Sequence, residues 1–144
     1  MPSVDFMIIG DYVRNDNGVL HIIAGGINTF HIQSVPYAQN VGIGLRLLLT
    51  RAECDQEHLV EIAFQDEDGT MLARIGGQFR AAYPEGLPPG AECPALLALN
   101  LGVPIPKVGR YTFELFIDGT NAKAIPVTAT TLPPPGAGGV ATDG

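Results

Sequence analysis

Three histidines, two cysteines and two serines are the side chains here that combine nucleophilic, acid–base or metal-binding chemistry near neutral pH. His21, His31 and His58 stand alone, with no His-x-His or His-x3-His spacing, and no Cys-x2-Cys pair accompanies them. Ser3 and Ser34 lie outside any Gly-x-Ser-x-Gly context, and Ser34 follows His31 by only three positions, too local for a triad. Cys54 sits between Glu53 and Asp55, whose charges raise rather than lower a thiol pKa. Cys93 falls in a proline-rich stretch and reads as a small packing residue. The two cysteines are far apart in sequence, in unlike surroundings, and are expected as free thiols.

Oxygen-rich turns offer the remaining chemistry. Asp66-Glu67-Asp68-Gly69 resembles part of a calcium loop, but an EF-hand needs oxygen ligands where Phe64 and Ile75 stand. Asn15-Asp16-Asn17-Gly18 fails in the same way at Val13 and Ala24. Glu53/Asp55 and Glu67/Asp68 are carboxylate pairs in turns, where a group tuned for acid–base work is least expected. Gly42-Ile43-Gly44 lacks the third glycine of a dinucleotide loop, and no Gly-Lys pair exists for a phosphate loop. No catalytic residue, metal or cofactor is therefore expected.

Composition narrows the partners. Acidic residues outnumber basic ones 15 to 8, and the formal net charge is −7. The few Lys and Arg are scattered, so the footprint of a nucleic-acid surface is missing. Val19 to Leu45 contains no Asp, Glu, Lys or Arg, yet His21, Asn28, His31, Gln33 and Pro36 exclude it as a lipid-facing helix. The first residues lack the basic start of a secretory leader, and the expected location is cytoplasmic.

The elements that must position these side chains are strands. Period-2 alternation predicts them over Val4–Val13, Val19–Ala24, Ile27–Gln33, Val41–Thr50, Glu57–Gln65, Met71–Phe79, Ala95–Leu101, Tyr111–Ile117 and Ala122–Thr130. In the first, Val4, Phe6, Ile8 and Tyr12 share a face. Val41, Ile43, Leu45, Leu47 and Leu49 do so in the fourth. Parity at Gly25-Gly26 excludes a two-residue hairpin, which would set apolar against polar, and leaves a three-residue loop or a kink. In the three-residue hairpin His21 and His31 come one residue pair apart. Tyr83 to Pro94 is proline-rich and reads as a crossing loop, and Pro126 suggests an edge position or bulge. The expected architecture is all-β: an antiparallel two-sheet β-sandwich of immunoglobulin-like Greek-key type, with about eight strands, and an open barrel is the runner-up. The sandwich occupies residues 1–131, and residues 132–144 form a flexible Pro/Gly tail.

Asp11-Tyr12, Leu20-His21-Ile22-Ile23-Ala24-Gly25-Gly26, Ala98-Leu99-Asn100-Leu101 and the run Gly109 to Gly119 together resemble an uncharacterised bacterial family, a domain of unknown function. The resemblance spans roughly Val4 to Val127. It implies a small β-sandwich and supplies no activity.

What remains is a non-enzymatic protein acting through protein–protein contacts, as a self-assembling or accessory subunit of a larger assembly. Leu47-Leu48-Leu49 and Leu115-Phe116-Ile117 have no polar alternate, so these strands need cover on both faces. Gly42 and Gly44 leave a strip where another backbone can approach. Gly42, Gly44, Leu48 and Phe116 are the expected interface. The alternative is a module binding a carbohydrate or cation through Asn15–Gly18, Asp66–Gly69 and Tyr83–Pro94.

Overall fold

The alternation of apolar residues is realised as strands throughout the computed structural model, which describes residues 1–134. Among them ten strands form: β1 (Ser3–Gly10), β2 (Tyr12–Asp16), β3 (Val19–Ile23), β4 (Thr29–His31), β5 (Tyr37–Leu49), β6 (His58–Asp66), β7 (Met71–Phe79), β8 (Cys93–Ile105), β9 (Gly109–Ile117) and β10 (Thr120–Thr130). A 3-10 turn, Arg51–Glu53, follows β5. The flexible tail expected over residues 132–144 falls mostly outside the described residues.

The strands make three sheets, ordered β1-β5-β8, β4-β10-β9-β6-β7 and β2-β3. Every pairing is antiparallel except β4 with β10, where Thr29–His31 run parallel to Thr128–Thr130. The core draws on both larger sheets. Ile43, Leu45, Leu47 and Leu49 of β5 are completely buried, as are Ile62 and Phe64 of β6 and Phe113, Leu115 and Ile117 of β9. Each such side chain contributes about 1.5–3 kcal/mol of hydrophobic stabilisation. Phe64 stacks on Tyr111 with centroids 5.0 Å apart, and Phe30 meets Phe113 edge-on at 6.4 Å.

Ten strands stand where about eight were expected, and the first expected strand is the main reason. The chain breaks at Asp11, so residues 4–13 divide between β1 and β2. A bulge between Val4 and Phe6 also shifts the register. One extra residue turns the following side chains over. Met7 and Ile9 therefore enter the core, while Phe6 and Ile8 lie half-buried on the opposite face. Past Asp11 the odd positions remain the buried ones: Val13 is buried and Tyr12 is exposed.

Neither alternative left open at Gly25-Gly26 describes the result fully. β3 and β4 do not pair with each other, and the chain turns at Ala24 (φ 57°) and Gly26 (φ 88°) to cross from one sheet to another. The inward parity of Phe30 and Ile32 is retained. β8 runs from Cys93 to Ile105, longer at both ends than the expected Ala95–Leu101. It is an edge strand, paired only with β5, so Pro94 and Pro104 fit where a donor is dispensable. Pro126 faces Thr112 of β9 on a stretch of β10 that β4 does not reach.

Candidate functional site

Two places gather the residues singled out above, and the first is the β2–β3 hairpin. It lies across the outer side of the β1-β5-β8 sheet, and two glycines make room for it. A Cβ on Gly42 would fall 2.6 Å from the Tyr12 backbone, and one on Gly44 would fall 2.8 Å from Ile22 Cδ1. The backbone that approaches this strip is therefore the chain's own. Gly42 and Gly44 are buried beneath it and are not available to a partner. Val13 and Ile22 point down onto the sheet, and the Asn100 carboxamide fastens the hairpin there through the Val13 main chain. Asn15 adds a bond from its Nδ2 to the Leu96 carbonyl at 3.1 Å.

The other face of the hairpin meets solvent. Tyr12, Val19 and Ile23 are 48, 56 and 59% exposed, and Tyr12 and Ile23 are direct cross-strand partners. Arg14 and His21 lie between that pair and Val19, whose cross-strand partner is Asp16. Arg14 Nε is 2.7 Å from an Asp16 oxygen, and His21 Nε2 is 3.7 Å from the same atom. At one end of the hairpin a cleft of about 440 Å³ opens, lined by Asp11, Tyr12, Asn40, Asn100 and Gly102 among others.

The other expected interface residues sit apart from this surface. Leu48 is half-buried on the outer side of β5, opposite Ser3 and Pro94. Phe116 is half-buried on the outer side of the five-stranded sheet, opposite Glu61 and Asn121. Polar pairs surround it: Arg74 with Glu61, Gln65 with Glu114, and Asn121 with Glu114. The apolar triplet at Phe116 therefore lies within a polar belt.

The second place is a corner that the sequence did not reveal. His58, 5% exposed, is held at both ring nitrogens. Nε2 lies 2.7 Å from the Glu53 carbonyl and Nδ1 lies 2.8 Å from Asp118 Oδ2. A carbonyl can only accept, so Nε2 carries a proton, and the carboxylate favours one on Nδ1 as well. Burial opposes the charge, but the Glu53 carbonyl and Asp118 outweigh it and hold the His58 pKa above its ordinary value. The bond from His58 in turn holds Asp118 below its ordinary value, against the opposing effect of burial. Asp118 Oδ1 also accepts the Leu59 N–H at 2.9 Å, and the Phe79 ring lies tilted by 31° against the imidazole, with centroids 5.4 Å apart.

Cys54 and Cys93 meet at the same corner, contrary to the expectation that they lie in unrelated places. Both are buried and free, and they belong to one core cluster. Burial pushes the Cys54 thiol up, and Cys93, Asp55 and Glu53 add to it. The order Asp118, His58, Cys54 resembles a nucleophile–base–acid set. It is not poised as one, because the His58 nitrogen that would serve as base is committed to Glu53. Primary sequence gives no signal for this corner, since 60 positions separate His58 from Asp118.

The other candidates are self-contained. Asp66 Oδ1 accepts the N–H groups of Asp68 and Thr70, both at 2.9 Å, and Asn15 Oδ1 accepts that of Gly18 at 3.2 Å. Tyr83 ties its loop back by donating to the Ala91 carbonyl at 2.9 Å. His21 and His31 lie on different sheets, and His31 Nδ1 lies 3.1 Å from the Leu132 carbonyl. Among the described residues no three His, Cys, Asp or Glu side chains gather as a metal site. No described helix is long and apolar enough to cross a membrane.

Comparison with known proteins adds little to this chemistry. No curated protein matches the chain. One similar solved structure is the Pseudomonas fluorescens alkylpurine DNA glycosylase AlkC bound to DNA containing an abasic site analog. The identity is 12% and the TM-score 0.42, over 85% of this chain and 30% of that one. The match spans less than a third of the glycosylase's length, and likeness at this level carries no inference about activity. A family model described as a family of unknown function, DUF6941, matches residues 5–130, the span from β1 through the end of β10.

Proposed function

The chain belongs to DUF6941, a family of unknown function, and we propose that it works without catalysis, through protein–protein contact made by the outer face of the β2–β3 hairpin. The observation that carries this reading is the exposure of the Tyr12–Ile23 pair and, beyond Arg14 and His21, of Val19 on one face of a hairpin fastened from below. Apolar side chains on a rigid platform lose little entropy on binding, which favours association.

The occupant we infer is a second copy of the chain. The protein carries a formal charge of −7, but the exposed hairpin face balances Arg14 against Asp16. A neutral island on an acidic surface is where two copies meet with least repulsion. A two-fold contact also sets Arg14 of one copy beside Asp16 of the other. The cytoplasm is the compartment we propose for this assembly.

Light scattering on a size-exclusion column tests the reading. A native mass of twice the 15.2 kDa chain, reduced to one chain by Ile23→Glu without loss of fold, supports it. A monomer across the accessible concentration range sinks it. The cleft beside Asp11, Tyr12 and Asn40 favours a second reading, a site for a small polar ligand such as a sugar. A thermal-shift screen with sugars and divalent cations separates the two, since ligand binding to the native state raises the midpoint.

We further infer that the three-stranded and five-stranded sheets are the two layers of an immunoglobulin-like Greek-key sandwich, to which the hairpin is an addition. The shared buried cluster supports this. So does Tyr111, whose hydroxyl donates back to the Lys107 carbonyl at 2.5 Å, in the manner of the tyrosine corner of such sandwiches.

A further inference from the structure

We propose that Cys54 and Cys93 form a reversible dithiol–disulfide couple, oxidised by a small-molecule disulfide, which staples the 3-10 turn to the first residue of β8. The inference concerns the corner remote from the hairpin and is independent of the contact reading.

Local geometry brings the two together. β5 ends with Leu49 directly opposite Cys93 in the β5–β8 register. The 3-10 turn then folds the chain back, and the Cys54 N–H reaches the carbonyls of Thr50 and Arg51, each at 3.2 Å. Cys54 enters the same buried cluster as Cys93, and the next residue, Asp55, donates to the Ala81 carbonyl at 2.8 Å, one position from the Ala82 carbonyl that the Cys93 sulfur faces. The Cys93 sulfur also faces the carbonyls of Ala82 and Pro94, both at 3.7 Å. No third metal-binding side chain joins them among the described residues. Thiol–disulfide exchange is the chemistry that two adjoining cysteines share.

The exchange balances in two steps. The Cys93 thiolate attacks one sulfur of the oxidant R–S–S–R, giving a Cys93–S–S–R mixed disulfide and releasing one R–SH. The Cys54 thiolate then attacks the Cys93 sulfur and displaces the second R–SH. One S–S bond breaks in the oxidant and one forms in the protein. The protein gives up two electrons, and its two thiol protons end on the two R–SH molecules. Cys54 acts second: burial, with Cys93, Asp55 and Glu53 beside it, disfavours its thiolate, which forms only as Cys54 gives up its proton to attack the mixed disulfide. The loop between Phe79 and Cys93, which contributes the Ala82 carbonyl against the Cys93 sulfur, must open locally to admit the oxidant.

Oxidation closes a loop of about 40 residues, which includes β6 and β7. It also fixes Glu53, the neighbour of Cys54, whose carbonyl holds His58.

The test uses the wild-type full chain, equilibrated under native conditions in mixtures of reduced and oxidised glutathione. The expected result is loss of both thiols together, an intact mass lower by two hydrogens, and a non-reduced peptide joining Cys54 to Cys93. The melting temperature rises on oxidation and returns when reductant is added. A persistent glutathione adduct on either cysteine, a disulfide-linked dimer, or thiols that remain unreacted in fully oxidised glutathione overturns the proposal.

Discussion

The carboxamide of Asn100 brackets Val13, donating from Nδ2 to its carbonyl at 2.8 Å and accepting its N–H at Oδ1 at 3.0 Å. One side chain thus makes the two bonds that a residue in a neighbouring antiparallel strand would make. Asn100→Ala leaves the main-chain groups of a buried residue without these partners. The expected loss is about 2 kcal/mol in denaturant unfolding, with faster amide exchange confined to residues 12–23. Asn100→Asp keeps the acceptor but sets a carboxylate oxygen against the Val13 carbonyl, so its loss is expected to be at least as large as that of Asn100→Ala. If exchange in the hairpin does not change in Asn100→Ala, the bracket is not what holds it.

Gly42 and Gly77 are expected to respond oppositely to a methyl group. A Cβ on Gly42 collides with the Tyr12 and Val13 backbone at 2.6 Å, which no rotamer relieves. Gly42→Ala is expected to cost about 1–3 kcal/mol and to unseat the hairpin. At Gly77, on the edge strand β7, a Cβ meets nothing within 4 Å. Gly77→Ala is expected to be neutral or to stabilise by up to about 1 kcal/mol. Equal effects at both sites would contradict the packing described for the hairpin.

The His58–Asp118 pair gives stability a pH window. The His58 pKa is raised above its ordinary 6.5, so its contribution is complete below that value and is lost as pH rises through the folded-state pKa. The Asp118 pKa is lowered from 3.8, so its contribution is complete above that value and is lost as pH falls through the folded-state pKa. The pair therefore contributes most between about pH 4 and 6.5. Asp118→Asn should flatten the alkaline decline in melting temperature and destabilise by about 1–2 kcal/mol near pH 6. A wild-type melting temperature that holds constant from pH 6 to 9, after correction for other groups, counts against the assignment.

Assembly and fold should separate by position. Ile23→Glu changes an exposed residue and should halve the native mass while the unfolding midpoint moves by less than about 0.5 kcal/mol equivalent. Phe116→Asp adds a carboxylate beside Glu61 and Glu114 and should lower stability without altering mass. The reverse pattern, with mass sensitive at Phe116 and not at Ile23, moves the interface to the five-stranded sheet.

Much of the core was legible because period-2 alternation is a local signal. Every odd position from Ile43 to Leu49 on β5 and from Tyr111 to Ile117 on β9 is apolar, and these side chains are buried. Phe6, Ile8 and Tyr12 face the other way because a bulge at Asp5 reverses parity without a composition signature. The glycines at 42 and 44 did mark a close approach, but sequence could not say that the approaching backbone came from residue 12. The corner of His58, Asp118, Cys54 and Cys93 was hidden for another reason. Its members come from four separate segments, and only the register of β5 with β8 and of β6 with β9 brings them together.

The parallel pairing of β4 with β10 has a consequence for biosynthesis. β10 is an interior strand of the five-stranded sheet, and its partner on one side comes from residues 29–31. A nascent chain therefore holds β4 without a sheet to join until about a hundred more residues have emerged from the ribosome. Phe30 and Ile32, buried in the finished protein, remain exposed for that interval. A chain arrested before residue 128 presents them to chaperones and proteases, so premature termination yields a degraded product rather than a shortened but functional one.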